Sequence, residues 1–234
     1  MPSYGQSEIG VNAGLNRSGF YGLKREDFTT RTAKSYMNYI ISVYYKEPVS
    51  ERAFAGFELE NMQVKSHLDY VVLGNHFFGY EINALFHLNY INLYFLFGGK
   101  FFTIKKATVF GGISPYYGYL IHNKGEGTDT PPKTVTLKDS TGVEYTYYYT
   151  VTRDINEAKV LRKANIGIRL NLDIHVPMKE KLTLSLKPMY NFGFYNVLNQ
   201  DGVTGIGGFS FTAGLIYHLD KKYLRLSENA KATH

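Results

Sequence analysis

Five charged side chains stand where a charge is costly. Glu58, Glu60, Arg169, Asp173 and Lys187 each alternate with apolar residues in segments of two-residue period. A strand built this way turns its charges to one face and its apolar residues to the other. Carboxylates and bases that share a face can pair across a confined interior, and unpaired ones there are heavily penalised. The chemistry this permits is a gated polar conduit or, in a narrow interior, a closed network of ion pairs. The second is the expectation, with acids on the third segment meeting bases on the sixth and seventh.

Other residue types are weaker candidates for chemistry. His175 and His218 fall on the same inward face near one end and are expected to be isolated histidines, because a metal would require further ligands. His67, Asp69 and His76 are read as sharing a loop region, in a spacing that matches no metal motif. Phe86-His-Leu-Asn89 offers a base without a serine partner, so acyl transfer is not expected. Gly205-Ile-Gly-Gly208 precedes a strand rather than a helix and is not a nucleotide loop. Neither a cofactor nor a metal is expected. Cysteine is absent, which excludes disulfides and thiolate sites.

The elements that would position these groups are strands. In NIGIRLNLDIHV, Asn165 to Val176, every even position is a branched aliphatic and every odd one is polar or glycine. Similar alternation recurs from Glu8 to Asn16, Ser35 to Lys46, Ala53 to Glu60, Asn89 to Phe97, Ala107 to Ile121, Leu182 to Phe194 and Phe209 to Leu219. From Val64 to Leu88 the pattern is blurred, and reads as strand extensions around a loop near Gly74-Asn-His76. Connections after the second, fourth and sixth segments are short; those after the first, third, fifth and seventh are long. Short periplasmic turns and long extracellular loops are the asymmetry of an outer-membrane barrel.

The expected fold is therefore all-β: a transmembrane, antiparallel, up-and-down barrel of about eight strands with long extracellular loops. It would span residues 8–219. Residues 1–7 read either as the residual end of a signal peptide, with Gln6 as the mature start, or as an N-terminal tail, and 220–234 as a periplasmic tail. Tyr39, Tyr45, Tyr117, Tyr190 and Tyr217 fall on the apolar face, where an aromatic girdle would lie. A soluble lipocalin-like carrier shares the strand pattern but would enclose its apolar faces.

The chain has 234 residues and a formal net charge of +6. Its basic residues are scattered among acids, which disfavours nucleic acid and favours anionic lipid head groups or lipopolysaccharide phosphates as partners. Between Thr134 and Arg153 a loop hairpin turns at Asp139-Ser-Thr-Gly142. Its second arm crowds Tyr145, Tyr147, Tyr148 and Tyr149, a protein- or glycan-binding surface with a strand edge to offer. A protein partner is expected through such loops or through the C-terminal tail.

Four stretches carry a resemblance. GVNAGLN (Gly10 to Asn16), FELE (Phe57 to Glu60), YINLYFLF (Tyr90 to Phe97) and GGISPYYG (Gly111 to Gly118) resemble strands of the PorT-like and OmpX/OmpW-like outer-membrane barrels of Bacteroidetes. The chain departs from that pattern where PorT-like proteins carry Glu-Ile-Pro, here Asn92-Leu93-Tyr94, and in the residues that follow Leu219. The resemblance implies a non-catalytic envelope protein that presents loops or docks to a larger assembly, with type IX protein secretion as the finer implication. The alternatives are an OmpX/OmpW-like barrel for adhesion or small hydrophobic ligands, and a lipid-modifying enzyme.

Overall fold

A computed structural model describes residues 6–21, 29–72, 80–130, 132–138, 140–155, 161–194 and 205–219. Eight of its strands form the wall: β1 (Glu8–Phe20), β2 (Thr29–Pro48), β3 (Ala53–Val72), β4 (Tyr80–Ile104), β5 (Ala107–Thr130), β9 (Ala164–Lys179), β10 (Leu182–Gly193) and β11 (Ile206–His218). Each pairs antiparallel with its chain neighbour, and β1 pairs with β11 to close the sheet. Every buried strand edge is thereby satisfied without water, which hydrocarbon requires. Three further strands lie in the longest connection: β6 (Pro132–Lys138), β7 (Glu144–Thr150) and the two-residue β8 (Arg153–Asp154), which pairs with the end of β5. The tail at 220–234 and His76 lie outside the described residues.

Alternation builds the wall as an inside-out protein. Val11, Leu15, Ile41, Val43, Phe57, Phe95, Ile113, Leu170, Phe211 and Leu215 are exposed on the outside. Asn12, Asn16, Ser42, Asn92, Ser114, Ser185, Ser210 and Thr212 are buried inside. A carrier would reverse these faces; a bilayer-spanning barrel has them this way round. Small inward residues make room for large ones: a Cβ at Gly10 would fall on the ring of Tyr44, and one at Gly167 would stand 2.7 Å from Tyr116.

The longest strands outrun a bilayer. About 9–11 tilted residues span a membrane, whereas β4 has 25 residues and β5 has 24. Partway up β3 and β4 the polarity of the two faces reverses. Nearer the short turns, β3 sends Glu58 and Glu60 inward and Phe57 and Leu59 outward. Beyond Asn61 it sends Met62, Val64 and Leu68 inward, with Gln63, Lys65, His67 and Asp69 on the outer side. On β4 the inward residues become Leu88, Phe86, Ala84 and Ile82, while Asn89, His87, Asn83 and Glu81 face out. The alternation that looks blurred in the sequence is intact; only its sense has changed. His67 and Asp69 accordingly lie on strand β3, not in a loop as their spacing implied.

The reversed section closes over an apolar core. Phe20, Met62, Val64, Leu68, Ile82, Phe86, Leu88, Leu120, Ile155 and Ile206 pack together there, with Leu161 against them. Phe20 and Phe86 meet edge to face at 5.4 Å. Where β2 enters this section it gains one residue relative to β3, between Ser35 and Ile40. Such a bulge bends a strand and raises its twist.

Leu170 lies mid-wall, opposite Ile113 on β5 and Tyr190 on β10. Leu170→Arg is expected to lower the unfolding free energy in lipid vesicles by about 2–4 kcal/mol. An unchanged denaturant midpoint would show that this face does not meet hydrocarbon.

Candidate functional site

The lumen is spanned by ion pairs that join distant strands. Arg169 on β9 sends Nη1 to Glu60 Oε2 at 2.9 Å and Nη2 to Glu58 Oε2, both carboxylates coming from β3. Alternation places Glu58 and Glu60 one inward position apart, so a single guanidinium reaches both. Its plane rests on the ring of Tyr94, 3.6 Å from the centroid, and Tyr94 donates to Glu60 Oε1 at 2.8 Å while the Asn92 amide donates to the same oxygen at 3.0 Å. Lys187, from β10 across the barrel, stands 3.4 Å from Glu58 Oε2.

Asp173 heads a second cluster nearer the short turns. Lys46 Nζ on β2 donates to Asp173 Oδ2 at 2.6 Å, and Ser185 donates to Oδ1 at 2.6 Å. His175 lies 3.1 Å from Asp173 Oδ2. Lys46 and Lys187 both lie over the ring of Tyr44, at 4.7 and 4.4 Å from its centroid, so the two clusters adjoin. The buried side chains therefore include three cations, Lys46, Arg169 and Lys187, and three carboxylates, Glu58, Glu60 and Asp173. Balance is what a space shut off from bulk water demands, since each unpaired ion would forfeit its hydration.

Glu58, Glu60, Arg169 and Lys187 thus meet directly, and Asp173 takes a different partner. Lys46 is the partner that the sequence reading missed, although period two from Ser42 through Tyr44 places it inward. His175 and His218 do share one end, but neither stands alone. Besides the Asp173 contact, the His175 ring packs at a tilt against Phe110, with centroids 4.6 Å apart. His218 lies 2.9 Å from the Thr183 hydroxyl and 3.5 Å from Glu8. His67 meets Asn83 at 3.0 Å. No three metal-ligating side chains gather among the described residues.

Below the second cluster a cavity of about 620 Å³ opens toward the short turns. Lys46, His175, Thr183 and His218 border it, and Phe54 and Phe110 help to line it. The passage above is occupied first by the ion pairs, then by the apolar core.

Tyr39, Tyr117, Tyr190 and Tyr217 are exposed on the outer wall and Tyr45 is half-buried there. Tyr45 and Tyr217 both flank Ile9 near the short turns, and Tyr39 lies opposite Leu15, further toward the loops.

In the long connection, β6 and β7 pair as a separate two-stranded sheet, from Lys138 against Glu144 to Pro132 against Thr150. Gly142 supplies the left-handed turn conformation, with φ of 84°. Val135 opposes Tyr147 and Leu137 opposes Tyr145 on one exposed face. The side chains of Tyr148 and Tyr149 lie outside the described part of the structure.

Two outcomes follow for the lumen. Arg169→Met leaves two facing carboxylates without their cation and is expected to cost about 3–5 kcal/mol, measured by unfolding in vesicles. Combining it with Glu58→Gln and Glu60→Gln should recover much of that loss; a single variant as stable as the parent would remove the network's structural role. In planar bilayers the parent barrel should pass no steady ionic current, and a reproducible single-channel conductance would show that the plug opens.

No protein-family model matches the chain, and no curated protein matches it. Among solved structures the chain is similar to Neisserial surface protein A, with 10% identity over 90% of this chain and 97% of that one, at a TM-score of 0.46. It is similar to the outer-membrane protein OprG of Pseudomonas aeruginosa, with 9% identity over 93% and 98% of the two chains, at 0.49. Ail, the attachment invasion locus protein of Yersinia pestis, is similar with 9% identity over 91% and 99%, at 0.35. These are likenesses of architecture. The closed eight-stranded wall, polar within and apolar without, is an outer-membrane β-barrel, and its apolar band seats it in a bacterial outer membrane.

Proposed function

We propose that this barrel is a non-catalytic display platform: its wall anchors it, its lumen is sealed, and its extracellular hairpin binds a protein partner. The observation that carries this reading is the independence of the β6–β7 sheet. It pairs with neither β5 nor β9, and it holds Val135, Leu137, Tyr145 and Tyr147 exposed together. Paired aliphatic and tyrosine side chains on a two-stranded ribbon suit protein recognition. The outer edges of a two-stranded ribbon can also accept a further strand.

The sealed lumen supports the same reading. Two filled layers, one ionic and one apolar, favour a role for the outside of the barrel over transport through it. Tyr39, Tyr45, Tyr117, Tyr190 and Tyr217 would serve as the membrane anchors, their rings at the lipid boundary and their hydroxyls toward water.

The test uses a photo-crosslinking residue at Tyr147 in intact cells, with the same residue at lipid-facing Tyr117 as control. A discrete protein adduct at 147, absent at 117 and lost on Tyr145→Ser, is the expected result. Replacing Lys133–Thr150 by a short glycine linker should abolish the adduct while the barrel keeps its heat-modifiable migration. Equal adducts from both positions, or none from 147, would end this reading. Recovery of type IX secretion proteins in the adduct would give the finer assignment implied by the strand resemblance.

A further inference from the structure

On the outer wall, just above the apolar band, basic side chains line up across neighbouring strands. Lys65 on β3 is the direct cross-strand partner of His87 on β4, and His87 is the direct partner of Lys124 on β5. Beside them, Lys34 on β2 is the direct partner of His67 on β3. The ammonium groups of Lys34 and Lys65 flank one ring, that of Tyr36, at 5.5 and 5.7 Å from its centroid. A cation held against an aromatic face is partly fixed in place. Four strands thus present one continuous basic row.

The three lysines alternate with imidazoles rather than standing directly opposite one another, so the row gathers positive charge over four strands without a direct Lys–Lys clash. Among the described residues, few carboxylates reach it. Glu126 reaches Lys124 at 2.9 Å, and Lys124 first, then His87 and Lys65, hold it below the usual carboxylate range. One exposed carboxylate faces several bases.

The order of charges along each strand has a direction. Rising from the lipid, β3 meets Lys65 before Asp69, β4 meets His87 before Glu81, and β5 meets Lys124 before Glu126. Bases come first and acids further out. On β4 the last outward aliphatic below His87 is Ile91, four residues earlier along the wall. With strands tilted as barrels require, that interval is roughly 10 Å of height, the level of lipid head groups.

The geometry points to a binding site for the phosphorylated head group of an outer-leaflet glycolipid, gripped by Lys34, Lys65 and Lys124 with His67 and His87 between them. A head group with more than one phosphate fits best, because the row is several strands wide. Lipid continuity selects the glycolipid over a free anion: its acyl chains would lie along the apolar band directly beneath. This site is separate from the hairpin and does not depend on the hairpin's partner.

The test is native mass spectrometry of the refolded full chain in detergent, titrated with bisphosphorylated lipid A, fully dephosphorylated lipid A and inorganic pyrophosphate in turn. The parent protein should retain the bisphosphorylated lipid alone. A variant carrying Lys34→Gln, Lys65→Gln and Lys124→Gln should retain it roughly tenfold less or worse, with heat-modifiable migration confirming a folded barrel. A charge-matched variant at the opposite rim, Lys105→Gln, Lys106→Gln and Lys179→Gln, should retain it as the parent does. Equal retention of both lipids, equal losses in the two variants, or pyrophosphate binding as tightly as the lipid would overturn the assignment.

Discussion

A guanidinium held between two carboxylates braces the cross-section that eight closed strands set. Arg169 and the Glu58–Glu60 pair stand three strands apart around the wall, while Lys187 faces Glu58, and Lys46 faces Asp173, from four strands away. Each pair is a strut across the lumen. Eight strands enclose a space that side chains can fill, and ions buried there forfeit much of their hydration. Their mutual pairing is therefore obligatory, and it ties opposite walls at a fixed separation. The small inward residues, Gly10 and Gly167 among them, are what let the Tyr44 and Tyr116 rings pack around these struts.

Sealing the inside moves function to the outside. The wall meets three environments in turn: hydrocarbon along its aliphatic band, head groups at the basic row, and water beyond. The hairpin belongs to the last. Its separation from the barrel ladder means that it can change or be lost without disturbing the struts, and the struts in turn hold its two attachment strands, β5 and β9, in one place.

Much of this was legible from alternation. Asn165–Val176 declared its two faces without help, and the hairpin announced itself through Gly142 and the β-rich arms on either side. Glu58, Glu60, Arg169 and Lys187 could be placed inward by parity alone. Parity could not say which would touch, because pairing depends on shear and on strands distant in sequence. That is why Asp173 turned out to belong with Lys46. The stretch from Val64 to Leu88 resisted for a different reason. A reader who follows one solvent along a strand expects one apolar face, and here the solvent changes from lipid to water. The apolar face moves to the other parity, so Leu68 and Phe86 occupy the same face as Glu58 and Asn92. The bulge between Ser35 and Ile40 shifts parity on β2 as well, with no local residue signal to mark it.

The reversal of faces along β3 and β4 also acts as a waterline. Pushed inward, the barrel would draw Lys65, His67 and His87 into hydrocarbon; pulled outward, it would expose Phe57, Leu59 and Phe95 to water. Either displacement is uphill, so depth in the membrane is encoded in the strands themselves. From Asn89 to Tyr80 the upper wall continues as a rigid collar for roughly 20 Å above that line, braced by its own apolar core. The β5 end of the long connection is thereby carried clear of the lipid surface, and whatever the hairpin grips is met at a set stand-off from the bilayer.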